Sequence, residues 1–245
     1  MSHRNLVLAY HGCDITTRDD LVAGRTHLKK SNNSYDWLGS GIYFYESDME
    51  RALAHANAVK ERPELQLASK AIGTPAIVGV VLDVTRWLDM STKLGLAEFE
   101  TAATTYLHGL KTGGLPTPQN RAAFDGDTDM LHRPFDKAVF DLIHSTRAIA
   151  FEDAMAKKKS VDLLSKLLPY QAVRSHFKQG DAISDSSGFF TKNHVQICLL
   201  DSSCIVNYFL PPGERLLSER KYEAAKVQLE IAQAEVRRLK PRKRA

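Results

Sequence analysis

Three short stretches of this 245-residue chain hold the residue types best suited to chemistry. They are Tyr10-His11-Gly12, Gly39-Ser40-Gly41-Ile42-Tyr43-Phe44 and His194-Val195-Gln196. An imidazole can donate or accept a hydrogen bond near neutral pH. The glycine beside it lets a backbone turn or come close to a ligand. Aromatic rings offer flat faces for stacking. A glutamine amide supplies donors and an acceptor without charge. The middle stretch is embedded in a denser segment, Tyr35 to Asp48, rich in aromatic residues, acids and glycine. It is expected to floor a nucleotide pocket, with the other two stretches beside it.

Each residue has a structural competitor. A histidine after a buried strand can serve as an internal hydrogen-bonder, and Tyr43 in an aromatic strand can be core. Gln196 at a strand start can pair with backbone. Trp37 and Phe44 read as core. Ser47, followed by Glu50, reads as a helix cap and not a nucleophile. His194 has no partner that the sequence identifies.

These residues need elements to hold them. Asn5 to Tyr10 is an apolar run that predicts a buried strand, stopped at His11-Gly12-Cys13-Asp14. A short helix over 16–23, capped by Thr16 or Thr17, should follow. Ile42 to Tyr45 predicts a strand. The Ser47–Glu50 capping box predicts a helix to about Glu61, with Ala52, His55, Ala56 and Val59 on one face. Residues 76–85 predict the clearest central strand, and 91–111 a helix. A loop then runs to about Pro134. Shorter helices over 136–144 and 161–168 precede strands over 173–177, 195–200 and 204–210. A last helix over 214–239 carries a seam of Tyr222, Ala225, Leu229, Ala232, Val236 and Leu239. Its expected use is packing back on the chain, with a partner helix as the alternative. Strands at both ends and helices between them predict an α+β fold, not a regular alternation.

Composition narrows the class. Hydrophobic content of 43% and charged content of 25% suit a globular chain with a sizeable core. No stretch is long and apolar enough to span a bilayer. The start is too short and poorly flanked for a signal peptide, so a cytoplasmic protein is expected. Cys13, Cys198 and Cys204 have no metal-ligand spacing and are expected as reduced thiols. Asp125-Gly126-Asp127-Thr128-Asp129 imitates a calcium loop, but Met130 stands where a glycine is needed and Asp136 where a bidentate glutamate belongs. It reads as a polar loop, and no metal is expected. Residues 237–245 hold six basic side chains and no acid, and without them 27 basic residues face 29 acidic ones. Such a tail suits nucleic acid, an acidic partner or solvent. Lys157-Lys158-Lys159 reads as a solvated helix end, with nucleic-acid contact as the lesser alternative.

Taken in order, the three stretches resemble the motif strands of the diphtheria-toxin and poly(ADP-ribose) polymerase class of ADP-ribosyltransferases, marked by a His-Tyr-Glu triad. The motifs cover some thirty residues, and the stretch from about 86 to 170 lies outside the likeness. The resemblance implies a split antiparallel sheet, to which the residue patterns add a helical insertion and a long C-terminal helix. A single domain is expected over 1–213, with 86–170 mainly a helical insertion, then 214–245 as helix and basic tail. NAD is implied as a substrate. His11 would bond the adenosine ribose, the Gly12 backbone the nicotinamide amide, and Tyr43 would stack on the nicotinamide ring. Gly39 and Gly41 would shape the approach.

Gln196 stands where the family has glutamate. The family's second stacking tyrosine has no match, the nearest positions being Ala54 and His55. Cleaving the nicotinamide–ribose bond builds positive charge on the sugar, which a carboxylate stabilises and an amide can only hydrogen-bond. Transfer of single ADP-ribose units, not chains, is therefore expected, with Glu46 as a substitute carboxylate if Gln196 does not suffice. The acceptor would be RNA, DNA or protein, with nucleic acid favoured by the basic tail. A toxin or anti-phage effector, paired with an antitoxin or other protein through the C-terminal helix, is the implied setting. A non-catalytic NAD or ADP-ribose module and an NAD-dependent RNA 2′-phosphotransferase are the alternatives.

Overall fold

The structure is a computed structural model that describes residues 6–33, 35–65 and 70–239. Met1 to Asn5, Ser34 and the tail residues Lys240, Arg242, Lys243 and Arg244 lie outside them. The described residues form a mixed α+β structure of seven strands and six α-helices. In chain order these are β1 Leu6–Asp14, α1 Ile15–Val22, β2 Ile42–Glu46, α2 Met49–Glu61, β3 Pro75–Asp83, β4 Trp87–Asp89, α3 Lys93–Thr112, α4 Pro134–Ala156, α5 Val161–Leu167, β5 Ala172–Phe177, β6 His194–Leu199, β7 Ile205–Phe209 and α6 Glu219–Leu239. No described helix is long and apolar enough to cross a membrane. The chain divides into two compact units, one of Met1–Lys29, Tyr43–Asp83 and Ser203–Ala245, the other of Lys30–Ile42 and Val84–Ser202.

In the first unit β1 lies between β2 and β3, and β7 pairs with β3, all antiparallel. The β1–β3 ladder runs unbroken from Leu6↔Asp83 to Asp14↔Pro75. Val78, Val80 and Leu82 of β3 are fully buried, as a continuous apolar run at a sheet centre requires. The predicted turn at His11–Asp14 is instead strand, because all four residues pair with β3. Gly12 serves a close approach: a Cβ there would lie 2.3 Å from the Ala52 carbonyl oxygen of α2. Asp14 ends the strand. Its Oδ1 accepts from the Thr16 amide and hydroxyl, and its Oδ2 from the Gly73 and Thr74 amides. The cap of α1 is therefore Asp14, not Thr16 or Thr17, and the helix begins at Ile15.

A similar exchange occurs at α2. Asp48 caps it, accepting from the Arg51 amide at 2.8 Å, while Ser47 takes a left-handed φ of 52° and bonds its amide to the Leu8 carbonyl. The predicted Ser47 cap is displaced because the carboxylate one residue later reaches the open amides instead. Ala52, Ala56 and Val59 form the predicted inner face.

The segment before α6 is held by buried charge. Arg18 and Asp19 are each 2% exposed, and Arg18 bonds Asp19, Glu214 and the Arg215 carbonyl. The Tyr222 hydroxyl donates to Asp20 at 2.7 Å. Ala225 is buried, and Tyr222, Leu229, Ala232 and Val236 are half-buried. The predicted seam thus faces its own unit, where α6 packs on α1 and the turn at Pro63–Leu65. Leu239 departs from it and is exposed, as are Arg237 and Arg238 of the last turn.

The second unit pairs β4 with β5 in parallel and β5 with β6 antiparallel. The three-residue β4 is absent from the sequence prediction, and its parallel pairing departs from a purely antiparallel sheet. Phe99 of α3 meets Phe140 of α4 at 5.0 Å between ring centroids. Pro134 begins α4, which continues to Ala156, well beyond the predicted 144. In the loop before it, the Asp127 carboxylate accepts from the amides of Ala123, Asp129 and Leu131. The calcium-like sequence therefore spends this acid on organising its own turn. Cys13, Cys198 and Cys204 are buried thiols not joined in disulfides, and burial pushes the Cys13 thiol up to about 12.

A Cβ at Gly73 would lie 2.6 Å from the Leu229 amide nitrogen in the backbone of α6. Backbone cannot swing aside as a side chain can. Gly73→Ala should therefore destabilise the protein by about 1–3 kcal/mol in denaturant unfolding. Unchanged stability would show that α6 does not dock so closely.

Candidate functional site

The first unit brings the His11 imidazole to the Tyr43 main chain at the place where the β1–β2 register ends. The β1–β2 register consists of Ala9↔Glu46 and Tyr10↔Tyr45, while β1 stays paired with β3 as far as Asp14. Beyond Tyr10 a side chain takes over from main-chain pairing. His11 Nδ1 lies 2.8 Å from the Tyr43 carbonyl oxygen. That oxygen only accepts, so Nδ1 carries the proton and Nε2 keeps a lone pair. Burial holds the His11 imidazole below its ordinary 6.5, and Lys70 adds to this against the opposing hydrogen bond to Tyr43. The ring is thus a neutral acceptor at Nε2. Phe44, fully buried, fixes it edge-on at 5.9 Å.

Alternation along β2 sorts the remaining candidates. Tyr43 and Tyr45 share one face, and Phe44 and Glu46 share the other. Tyr43 is half-buried and Tyr45 is buried against Ala52, Ile77, Tyr10 and Met49. Glu46, expected on the same edge as Tyr43, is half-buried three residues later and belongs to the opposite face. Of the two positions nearest the family's second tyrosine, His55 lies 6.1 Å from the Tyr45 ring and Ala54 is exposed. Gly12 follows His11 on β1 with its open side against α2, so packing by itself demands glycine there.

The second unit holds Gln196 and Gly41. Gln196 and His194, two residues apart on β6, share a face. Gln196 Oε1 accepts from the Trp37 indole nitrogen at 2.6 Å, and Gln196 Nε2 lies 3.0 Å from His194 Nε2. Trp37, expected as core, is only 8% exposed but spends its one polar atom on Gln196. A Cβ at Gly41 would lie 2.4 Å from Cys198 Sγ and 2.8 Å from the Leu199 carbonyl of β6. Gly39 has a φ of 93°, a conformation glycine adopts without strain. Helix α4 secures the loop between them. The Ser40 amide donates to Asp141 Oδ1 at 3.0 Å, and Lys137 pairs with Asp141 and bonds the Ser40 hydroxyl.

Sequence reading missed Trp37, Lys137 and Asp141 as partners. The two-residue spacing of His194 and Gln196 was the one available signal. Among the described residues no group of three or more His, Cys, Asp or Glu side chains is arranged to hold a metal ion. No protein-family model matches the chain, and no curated protein or solved structure matches it.

His144 of α4 lies against Gly39, and burial pushes it from 6.5 to about 4, opposed by the Leu38 backbone and Asp141 and aided by Lys30. The unfolded chain binds this proton more tightly than the fold does. Stability should therefore rise with pH between about 4 and 6.5 and be lost as pH falls through that window. Between pH 7 and 4.5, His144→Phe should lose about 2–3 kcal/mol less unfolding free energy than the wild type. Equal losses in both proteins would place the pH dependence elsewhere.

Proposed function

We propose that the chain is an NAD-dependent mono-ADP-ribosyltransferase on an ADP-ribosyltransferase-like fold, acting on a macromolecular acceptor. The observation that carries this reading is the bridge from His11 to the Tyr43 carbonyl where the β1–β2 ladder ends. It leaves a neutral imidazole acceptor, the Gly12 main chain and the Tyr43 ring on neighbouring strands, past the last described β1–β2 register pair, Tyr10↔Tyr45. These groups match three needs of NAD: an acceptor for a hydroxyl of the adenosine ribose, main-chain partners for the nicotinamide carboxamide, and an aromatic face for its ring.

The motif resemblance assigns Gln196 to the ribose bearing the nicotinamide. Its carbonyl oxygen can accept from the 2′-hydroxyl as the sugar becomes cation-like. The C–N bond to nicotinamide breaks and its electron pair leaves with the ring. A nucleophilic atom of the acceptor then bonds the same carbon and gives up its proton. The amide contributes a dipole and no charge, which supports transfer of one unit and not elongation. Arg237 and Arg238, with the basic residues beyond them, favour nucleic acid over protein as acceptor.

Labelled NAD incubated with the protein and a lysate tests this. Label should pass to macromolecules, and digestion with RNase, DNase or protease identifies the acceptor class. His11→Ala and Tyr43→Ala should each lower NAD turnover by about 100-fold or more. No NAD consumption by the wild type would leave a binding module as the reading. Release of a 2′-phosphate from RNA would make it a phosphotransferase. Full activity in both variants would misplace the site.

A further inference from the structure

The Gln196 amide is held on both arms by groups that can act in only one sense. The Trp37 indole N–H is a donor and cannot accept, and it lies 2.6 Å from Oε1. This fixes which end of the amide is oxygen. His194 Nδ1 lies 2.7 Å from the Lys192 carbonyl oxygen, which only accepts. Nδ1 therefore carries the hydrogen and Nε2 presents a lone pair. Gln196 Nε2, 3.0 Å away, donates to it. Donors and acceptors alternate without conflict from Trp37 through Gln196 and His194 to Lys192.

The rings that carry these groups are themselves packed. Trp37 meets Phe177 edge-on at 5.0 Å, and Phe177 stacks on His194 at 5.4 Å and 21°. The Arg133 guanidinium lies 5.0 Å from the Trp37 ring and 4.2 Å from Phe177. Arg133 is pinned in turn by the carbonyls of Met130 and Asp129. Neither the indole nor the imidazole can turn away without breaking this stack.

A carboxylate at position 196 would not complete the same chain. It could accept from Trp37, but it has no N–H for the His194 lone pair. The imidazole cannot reverse its roles while Nδ1 serves Lys192.

We infer that Trp37 and His194 are positioning residues that present Gln196 as an oriented, uncharged amide, and that these surroundings are built for glutamine and against glutamate. What Gln196 touches rests on the function proposed above; the held amide rests on the contacts alone. Among the described residues, one N–H and one carbonyl lone pair of Gln196 are left for substrate. The missing acid is thus not a decayed site, and restoring it does not improve the enzyme.

Steady-state NAD turnover by the full chain tests this, read as kcat and KM separately. Gln196→Glu should lower kcat by about tenfold while KM for NAD stays within about twofold. Adding His194→Gln should recover most of that loss. A glutamine at 194 can turn its N–H toward the carboxylate, which the imidazole cannot do without taking up a proton. A Gln196→Glu protein as fast as the wild type overturns the inference, as does a double variant no better than the single one. NMR on labelled wild-type protein supplies a readout independent of turnover. His194 should be the Nδ1–H tautomer, and the Gln196 amide protons should be protected and then lose protection in Trp37→Phe. If the wild type consumes no NAD, the function fails and the held amide is judged by these signals alone. An Nε2–H tautomer or a freely exchanging Gln196 amide overturns it.

Discussion

The long ladder between β1 and β3 is the constraint on which the candidate site depends. Nine register pairs satisfy one edge of β1 along its whole length. One carboxylate then locks the far end, because Asp14 binds both the start of α1 and the amides of Gly73 and Thr74. A strand so anchored can part from its other neighbour and remain a strand. That is what β1 does past Tyr10, where the imidazole of His11 spans to β2 in place of a backbone bond. The same hydrogen bond that closes the gap also fixes the tautomer. Structure and chemistry at His11 are therefore one interaction, and a residue unable to donate from the Nδ1 position would lose both.

The two candidate groups share a property: each is neutral and each is oriented by a partner with only one role. His11 donates to a carbonyl, and Gln196 accepts from an indole. Stabilisation of a cation-like sugar would then come from aimed dipoles and not from a formal charge. In a partly buried setting aimed dipoles retain much of their effect, because no water must reorganise around them. The cost is a smaller field than a carboxylate would supply. Under the proposed function this would favour a single, committed transfer over repeated addition, and would make orientation more important than it would be for a charged group. The stack of Trp37, Phe177, His194 and Arg133 has the form that such a requirement would produce.

What the sequence made legible follows from local periodicity. The apolar runs of β1, β3 and β6, the face of α2 and the seam of α6 were all readable, because each element declares itself within a few residues. The coarse α+β class followed from their order. Boundaries shift where two adjacent residues can do the same task, as at Ser47 and Asp48, or where a glycine that ordinarily marks a turn sits inside a paired strand, as Gly12 does. The brief β4 offered too few residues to show a period. Trp37 and Gln196 are 159 positions apart, and nothing local in either stretch announces that an indole will meet an amide.

The glycines show how a motif can be right for two reasons at once. In sequence, Gly12, Gly39 and Gly41 suggested room for a ligand. In the fold, α2 closes on Gly12 and β6 on Gly41 so tightly that no other residue fits, whatever binds nearby. Their presence is accounted for by packing, so they lend no independent weight to a nucleotide. The weight passes to residues whose geometry exceeds what packing needs. A core histidine needs any hydrogen-bond partner, but His11 has one that leaves Nε2 as an acceptor where β2 departs. A strand-start glutamine needs only backbone, but Gln196 is gripped by two side chains of fixed polarity. Function, where the fold carries it, lies in that surplus of order.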